Sequence, residues 1–376
     1  MPKDKEVIAS SKSSIQDRIA EYEAEIANTK YNKKTQHSIG ILKAKIAQLK
    51  EKQETRQASQ KAGLGFGVRK SGDATVVILG FPSVGKSTLL NDITNAKSLV
   101  GAYDFTTLDV IPGLLEYNNA KIQILDIPGI VYGAAEGKGR GREVLSIVRS
   151  ADLLMILIDV HKPKQHDFIL QELYRAKIRI NQKAPNVKIA RTAIGGIRIG
   201  VTVKLTKLTL ETIKAMLLEM RVSNADVVIR EDIDADQLID AIEGNRTYMS
   251  AIKVVNKIDT ANEEQARACL QRVKPDIMVS ATNKTNTGQL KELIFQRLSF
   301  IRVFLKQPGK EPDMREPLIM RKPATLKDLC DRLHRDFVAK FRFARMWGKS
   351  SRFPGQKILR LDHLLEDMDV VEIHLR

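Results

Sequence analysis

Short apolar runs rich in β-branched residues recur along the chain: Thr75 to Gly80, Ile122 to Asp126, Leu153 to Asp159, Ile252 to Asn256 and Ile277 to Ser280. Strands buried on both faces read this way, and such strands belong to parallel sheets. Helical stretches between several of them predict an α/β architecture. The N-terminal segment follows another period. Ile15, Ile19, Tyr22 and Ile26 fall at 4-3-4 spacing, and Ile39, Leu42, Ile46 and Leu49 at 3-4-3. The polar stretch Asn28 to Lys34 separates the two stripes. This pattern predicts an antiparallel helical hairpin over 1–62 with Lys on its outer faces. Two roles fit it: a solvated hairpin packed on the main domain, or an arm that docks on RNA or a partner.

A glycine-rich stretch, Gly63-Leu64-Gly65-Phe66-Gly67, joins the hairpin to the next domain, expected over 63–301. One interval in that domain is too long for a single crossover helix. Between Val160 and Ala251 the pattern predicts a β-hairpin, Val187 to Ala193 with Ile197 to Val203, turning at Gly195-Gly196. A helix near Leu210 to Met220, a strand at Asp226 to Arg230 and a helix at Asp234 to Glu243 follow. The expected reading is an inserted α+β subdomain at about 165–245. A third unit is expected over 302–376. It has a strand at Pro317 to Met320, a helix from Leu326 to Val338 opened by Thr325 as N-cap, and a closing strand at Asp369 to Leu375. That order suits a small mixed sheet packed on one helix.

No apolar run reaches the ~18 residues needed to cross a bilayer, and the charged start Met1 to Glu6 leads into no apolar signal segment. Two cysteines cannot make a disulfide framework, which suits the cytoplasm. Lys plus Arg number 62 against 45 Asp plus Glu, a formal charge of +17. Such a balance points to a polyanionic partner. The charge is concentrated: Arg321 to Lys357 holds eleven Lys/Arg against Asp328, Asp331 and Asp336. Phe341, Phe343, Trp347 and Phe353 lie among them. Basic residues with interleaved aromatics suit RNA; the same Phe341, Phe343 and Trp347 also suit the core of the small domain.

Gly80-Phe81-Pro82-Ser83-Val84-Gly85-Lys86-Ser87 fits G-x-x-x-x-G-K-[ST] between an apolar strand and a helix. Its backbone N–H groups, from Ser83, Val84 and Gly85 through Lys86, Ser87 and Thr88, suit a phosphate cradle. Lys86 suits the β- and γ-phosphates, and the Ser87 hydroxyl suits Mg²⁺. Asp126-Ile127-Pro128-Gly129 closes a second strand, with Asp126 placed for the metal and the Gly129 N–H for the γ-phosphate. Asn256-Lys257-Ile258-Asp259 closes a third. There Asp259 can accept from guanine N1–H and N2, Lys257 can lie over the base, and Asn256 can tie this loop to the phosphate loop. Ser280-Ala281-Thr282 offers N–H groups toward guanine O6. Between the first two motifs, Thr107 of Tyr103-Asp104-Phe105-Thr106-Thr107-Leu108 is the expected clamp on Mg²⁺ and the γ-phosphate.

These motifs, in this order, resemble the Obg branch of translation-factor-class P-loop GTPases. The wording of Gly137-Lys138-Gly139-Arg140-Gly141-Arg142-Glu143-Val144, Asn224-Ala225-Asp226-Val227 and Glu243-Gly244-Asn245-Arg246 resembles the developmentally regulated GTP-binding proteins. So does Asn32-Lys33-Lys34-Thr35, with Gly40 to Lys45 after it. The resemblance implies a helical N-terminal region, a GTPase domain with an S5D2L-like insert and a C-terminal TGS domain of β-grasp fold. It also implies Mg²⁺-dependent hydrolysis of GTP to GDP, association with ribosomes or translation, and a dedicated partner protein. Where many GTPases carry a water-orienting Gln, this chain has Ile130. Water must then be positioned by Lys138, Arg140 or Arg142, a monovalent cation, or a partner. K⁺-using relatives often carry Asn where this chain has Ser83, so K⁺ stays open. Two rivals remain: an RNA-binding module whose nucleotide site is a slow sensor, and an ATPase, which Asp259 opposes.

Overall fold

The computed structural model describes residues 3–30, 32, 35–58, 72–94, 111–127 and 141–376. Thr106, Thr107, Gly129, Ile130, Lys138, Arg140, the side chain of Arg142 and the Gly63–Gly67 stretch lie outside the described residues. In chain order the strands are β1 (Ala74–Leu79), β2 (Ile111–Tyr117), β3 (Ala120–Asp126), β4 (Leu153–Asp159), β5 (Ile178–Ile180), β6 (Val187–Arg191), β7 (Ile197–Val201), β8 (Ala225–Ile229), β9 (Thr247–Asn256), β10 (Ile277–Met278), β11 (Phe300–Leu305), β12 (Leu318–Arg321), β13 (Phe341–Trp347), β14 (Gln356–Ile358) and β15 (Asp369–Leu375). The helices are α1 (Lys3–Asn28), α2 (Gln36–Ala58), α3 (Lys86–Ile93), α4 (Gly141–Ser150), α5 (Gln165–Arg175), α6 (Leu210–Glu219), α7 (Ala235–Glu243), α8 (Glu263–Val273), α9 (Thr287–Arg297), α10 (Leu326–Leu333) and α11 (Phe337–Lys340). The chain divides into two compact units, 1–65 with 182–248, and 66–181 with 249–376.

In the second unit, among the described residues, a seven-stranded sheet runs β10-β9-β4-β1-β3-β2, with β5 paired to β9. The pairs β1·β3, β1·β4, β4·β9 and β9·β10 are parallel, and β2 is antiparallel to β3. Alternating side chains of each central strand enter opposite cores, as a pleated strand demands. Val76 and Ile78 of β1, with Leu153, Met155 and Leu157 of β4, pack with Leu89, Leu90 and Ile93 of α3 and Leu290 and Ile294 of α9. Val77, Leu79, Leu154, Ile156 and Ile158 pack on the other face with α4, α5 and α8. Helices cover both faces, so these strands are apolar throughout. The crossover topology places the turns after β1, β3, β4 and β9 at one edge of the sheet.

The same unit holds a five-stranded sheet, order β12-β11-β15-β13-β14, whose inner face packs on Leu326 and Leu329 of α10. Thr325 caps α10 in a reciprocal capping box with Asp328. The helix ends at Leu333; Phe337–Lys340 is a separate short turn of helix, so the expected helix to Val338 is shorter than its apolar pattern. Phe300 of β11 and Ile319 of β12 enter the core of the large sheet. Arg321 donates to Asp152 Oδ1 (2.8 Å) and the Asp73 carbonyl (2.9 Å), and Arg332 pairs with Asp73 at 3.1 Å.

The first unit joins the N-terminal hairpin to the inserted segment. Ile19, Ile46 and Leu49 form the buried seam between α1 and α2, with Ile15, Tyr22 and Ile26 against it. A second face of α2 serves the insert. Ala44 is fully buried in a core with Ile213, Met216 and Leu217 of α6 and Leu238 of α7. A Cβ added at Gly40 would lie 3.0 Å from Thr212 Cγ2 and 3.2 Å from Met216 Sδ. Lys43 pairs with Asp236 at 2.7 Å, and Gln48 Nε2 donates to the Glu219 carbonyl at 2.9 Å. Within this unit the hairpin is therefore packed on the insert through the small-residue row Gly40, Ala44 and Ala47. Helix α2 is apolar on two faces, and its large-residue stripe reveals only one of them. Ala44→Leu is expected to overpack this contact and destabilise it by ~1–3 kcal/mol, read as a lower midpoint of the first unit's thermal unfolding.

The insert departs from expectation in two respects. β6 and β7 do not form a hairpin: the three-stranded sheet has order β6-β8-β7, with β8 antiparallel to β6 and parallel to β7. Ala225, Val227 and Ile229 make β8 the most buried of the three, which suits the central position. The link from Thr192 to Gly196 steps over the end of β8. Gly195 and Gly196 take φ of 108° and 70°, a backbone that suits a wide loop as well as a tight turn. The boundary near 165 also moves. Helix α5 buries Ile169 and Leu173 against the large sheet, so the segment that leaves the second unit begins at Gln182.

Candidate functional site

The turn after β1 is shaped by two glycines. Gly85 has φ 90° and is the N-cap of α3. A Cβ there would meet Asn256 Nδ2 at 2.5 Å, and one on Gly80 would meet the Leu157 carbonyl at 2.7 Å. Side chains at either place would push apart the loops this edge brings together. No side chain caps α3. The first-turn N–H groups of Lys86, Ser87 and Thr88 therefore sit at a helix N-terminus that favours an anion. The Lys86 ammonium donates to the Gly80 and Phe81 carbonyls, each at 3.2 Å. Burial lowers its pKa, and the nearby Asp126 charge partly restores it.

Asp126, at the end of β3, accepts from Ser87 Oγ at 2.9 Å through Oδ2. Its other oxygen, Oδ1, is buried and has no hydrogen-bond partner among the described residues. A buried carboxylate oxygen without a donor needs a compensating group. One carboxylate and one hydroxyl beside a phosphate cradle fit Mg²⁺, which binds through one or two protein oxygens plus phosphate oxygens and water. Ser87 and Asp126 are thus the described residues that suit this metal.

The loops after β9 and β10 are bound to the loop after β1 by side chains. Asn256, buried at the end of β9, donates through Nδ2 to the Val84 carbonyl (3.0 Å) and accepts through Oδ1 from Ala281 N–H (3.1 Å). One amide thus joins all three loops. Lys257, in the left-handed region with φ 67°, donates to the Ser83 carbonyl at 2.7 Å and to Asp159 Oδ2 at 2.8 Å. Asp259 stands in the single turn Ile258–Thr260, exposed, with no hydrogen bond from the described residues. Ser280 is fully buried, and its N–H donates to the Thr285 carbonyl at 3.2 Å. Two of the three N–H groups expected to face guanine O6 are therefore engaged within the protein, and the Thr282 N–H has no such bond among the described residues.

The sequence reading passed over Asp159. It closes β4 opposite Asn256 in register and is buried beneath Lys257. Burial disfavours its charge, but hydrogen bonds from Lys257 and from His161 N–H outweigh burial and hold the carboxyl below the usual range. Its contribution is present above the ordinary carboxylate pKa and is lost only as pH falls through the lower folded value. The signal was available, since Asp159 ends an apolar strand as Asp126 does. Asp159→Asn is expected to weaken GTP binding by about tenfold, the loss of one charge-assisted hydrogen bond, without changing which base is preferred. Nucleotide titration checks both parts.

Three family models match consecutive stretches of the chain. Residues 75–190 match the family described as 50S ribosome-binding GTPase, 194–300 the C-terminal region of the MMR_HSR1 domain, and 301–375 the TGS domain. The developmentally regulated GTP-binding protein 2 homolog of Dictyostelium discoideum is 41% identical over 361 residues, covering 96% of this chain and 99% of the relative. The chain belongs to the developmentally regulated GTP-binding protein family. It is also 51% identical over 366 residues to an uncharacterized GTP-binding protein of Methanocaldococcus jannaschii, covering 96% of this chain and 93% of that one. Developmentally regulated GTP-binding protein 1 of Xenopus laevis is 41% identical over 360 residues, 95% and 98% of the two chains. Among solved structures, Era with MgGDPNP and a piece of 16S ribosomal RNA matches at 18% identity over 76% of each chain, with a TM-score of 0.33, a likeness too low to carry an argument. As a member of this family, the chain is a GTP-binding protein with a P-loop GTPase domain and a C-terminal TGS domain. Among the described residues no helix is long and apolar enough to cross a membrane.

Proposed function

We propose that this developmentally regulated GTP-binding protein is a Mg²⁺-dependent GTPase with slow intrinsic turnover, acting in the cytoplasm as a ribosome- or RNA-associated switch in translation. The observation that carries the hydrolytic part is Asp126. One of its buried oxygens holds Ser87, and the other has no partner among the described residues. In the proposed mechanism Ser83 to Thr88 cradle the phosphates through backbone N–H groups, and Lys86 swings from its carbonyl contacts onto the β- and γ-oxygens. Ser87 and Asp126 would hold the metal, with Thr107 as the proposed further ligand and the Gly129 N–H as the proposed donor to the γ-phosphate. Bound Mg²⁺ supplies neutralisation of the charge that builds on the phosphate oxygens. Lys257 lies along the base, and Asp259 reads its two donors.

Ile130 cannot orient water by hydrogen bonding, which supports slow intrinsic turnover and an outside contribution from K⁺, the ribosome or a partner protein. The ribosomal part rests on the basic C-terminal segment and on the description of the matched GTPase family. Phosphate release is the test, with Mg²⁺ or EDTA, with K⁺ or Na⁺, and with or without ribosomes. Turnover that needs Mg²⁺ and rises with ribosomes is expected. GTP binding with turnover indifferent to ribosomes would make the site a slow sensor instead.

A further inference from the structure

The eleven basic residues between Arg321 and Lys357 separate in the fold. Arg321, Lys322, Arg332 and Arg335 form ion pairs with Asp152, Glu366, Asp73 and Asp336. Arg345 and Lys357 form none among the described residues and stand side by side on β13 and β14. A register shift between Phe341 and Phe343 decides what accompanies them. Phe341 packs with the inner core, as do Ala344 and Met346, whereas Phe343, Arg345 and Trp347 fall on the outer face. There Phe343 stacks on His374 with ring centroids 4.2 Å apart and planes 15° from parallel. Lys357 Nζ lies 4.4 Å from the Phe343 centroid, and Lys306 Nζ lies 5.0 Å from that of Trp347.

We infer that this outer face of the C-terminal sheet is a stacking platform for single-stranded RNA; the inference rests on the RNA partner proposed above. His374 stacks on the Phe343 ring, and the flexible end of Lys357 also lies over that ring without an ion pair among the described residues. An ammonium over a partly exposed ring is held more weakly than a stacked base. A base can therefore take the place of Lys357 on Phe343, and the released ammonium is then free for the adjoining phosphate, while Lys306 stays bound to the buried Glu372 beside Trp347. Glu372, opposite Arg345 in register on β15, is buried and bound by Lys306 and His374, so it does not offset the charge of Arg345 and Lys357. Charge alone would suit any polyanion. The combination of ring faces with unpaired cations favours nucleobases over an acidic protein.

Trp347 is the only tryptophan in the chain, so tryptophan emission reports on this face alone. The full chain is titrated with a labelled uridine oligonucleotide of about 12 nucleotides across a salt series, following label anisotropy and Trp347 emission together. Both signals are expected to saturate at one concentration, with emission quenched. Phe343→Leu should lower affinity by about tenfold. The double variant Arg345→Glu with Lys357→Glu should flatten the log–log salt slope by about 0.7 for each lost phosphate contact. Circular dichroism and GTP affinity of both variants should match wild type, since neither touches the nucleotide loops. RNA binding that leaves Trp347 emission and the Phe343→Leu affinity unchanged would overturn the platform and leave the RNA reading standing. Absence of RNA binding by the wild type would overturn both. Polyglutamate binding as tightly as RNA would assign the face to an acidic protein and overturn the inference.

Discussion

Ser87→Ala is expected to reduce GTP turnover in Mg²⁺ by about 10²- to 10³-fold, the range for loss of one group that helps stabilise transition-state charge. The structure gives the variant two consequences. The hydroxyl proposed to hold the metal disappears, and Asp126 loses the one side-chain donor it has among the described residues. With Oδ1 already unpartnered, the carboxylate would be buried with neither oxygen satisfied by the described residues. That desolvation costs ~1–3 kcal/mol, so a modest fall in thermal midpoint should accompany the loss of activity. Ser87→Thr keeps the hydroxyl and should restore most of both. Lys86→Ala should likewise stop hydrolysis while the sheet stays folded, because among the described residues its ammonium bonds two loop carbonyls. Phosphate release together with circular dichroism decides. Wild-type turnover by Ser87→Ala would remove Ser87 from the metal site.

Asp259→Asn should lower GTP affinity by about 10- to 100-fold and raise affinity for xanthosine nucleotides. The carboxylate can accept from two guanine donors, and a paired contact of that kind is worth ~1–3 kcal/mol of discrimination. Asp259 is exposed with no hydrogen bond from the described residues, so the substitution should leave the fold intact. The contrast with Asp159→Asn makes the test specific. Asp159 holds Lys257 from beneath, so its loss should weaken all nucleotides in parallel. Asp259 should exchange one base for another. Titrating both variants with GTP and its xanthosine analogue separates the roles, and unchanged GTP affinity in Asp259→Asn would remove the base assignment.

The nucleotide site was legible because its chemistry is local in sequence. Gly80 to Ser87, Asp126 and Asn256 to Asp259 each sit directly after a strand, and parallel strands deliver those turns to one edge. A period of two in burial and a glycine where the chain turns are written in neighbouring residues. Motif residues and their spacing therefore made the GTPase domain, the carboxylate proposed to read the base and the hairpin's first seam legible.

What tertiary structure decided involves partners far apart in the chain. Asp159 under Lys257 depends on the pairing of β4 with β9, separated by the whole insert. The hairpin's attachment depends on Gly40, Ala44 and Ala47, whose small size carries no apolar signal until Met216 and Leu217 lie against them. The order β6-β8-β7 could not be read from a Gly-Gly pair, because such a pair permits both a tight turn and a step across a third strand. The face taken by Phe343 and Trp347 turned on one register shift in β13, which alternation alone does not foresee. Propensity and pattern act over a few residues; which surfaces meet is settled by the burial that the whole chain can reach.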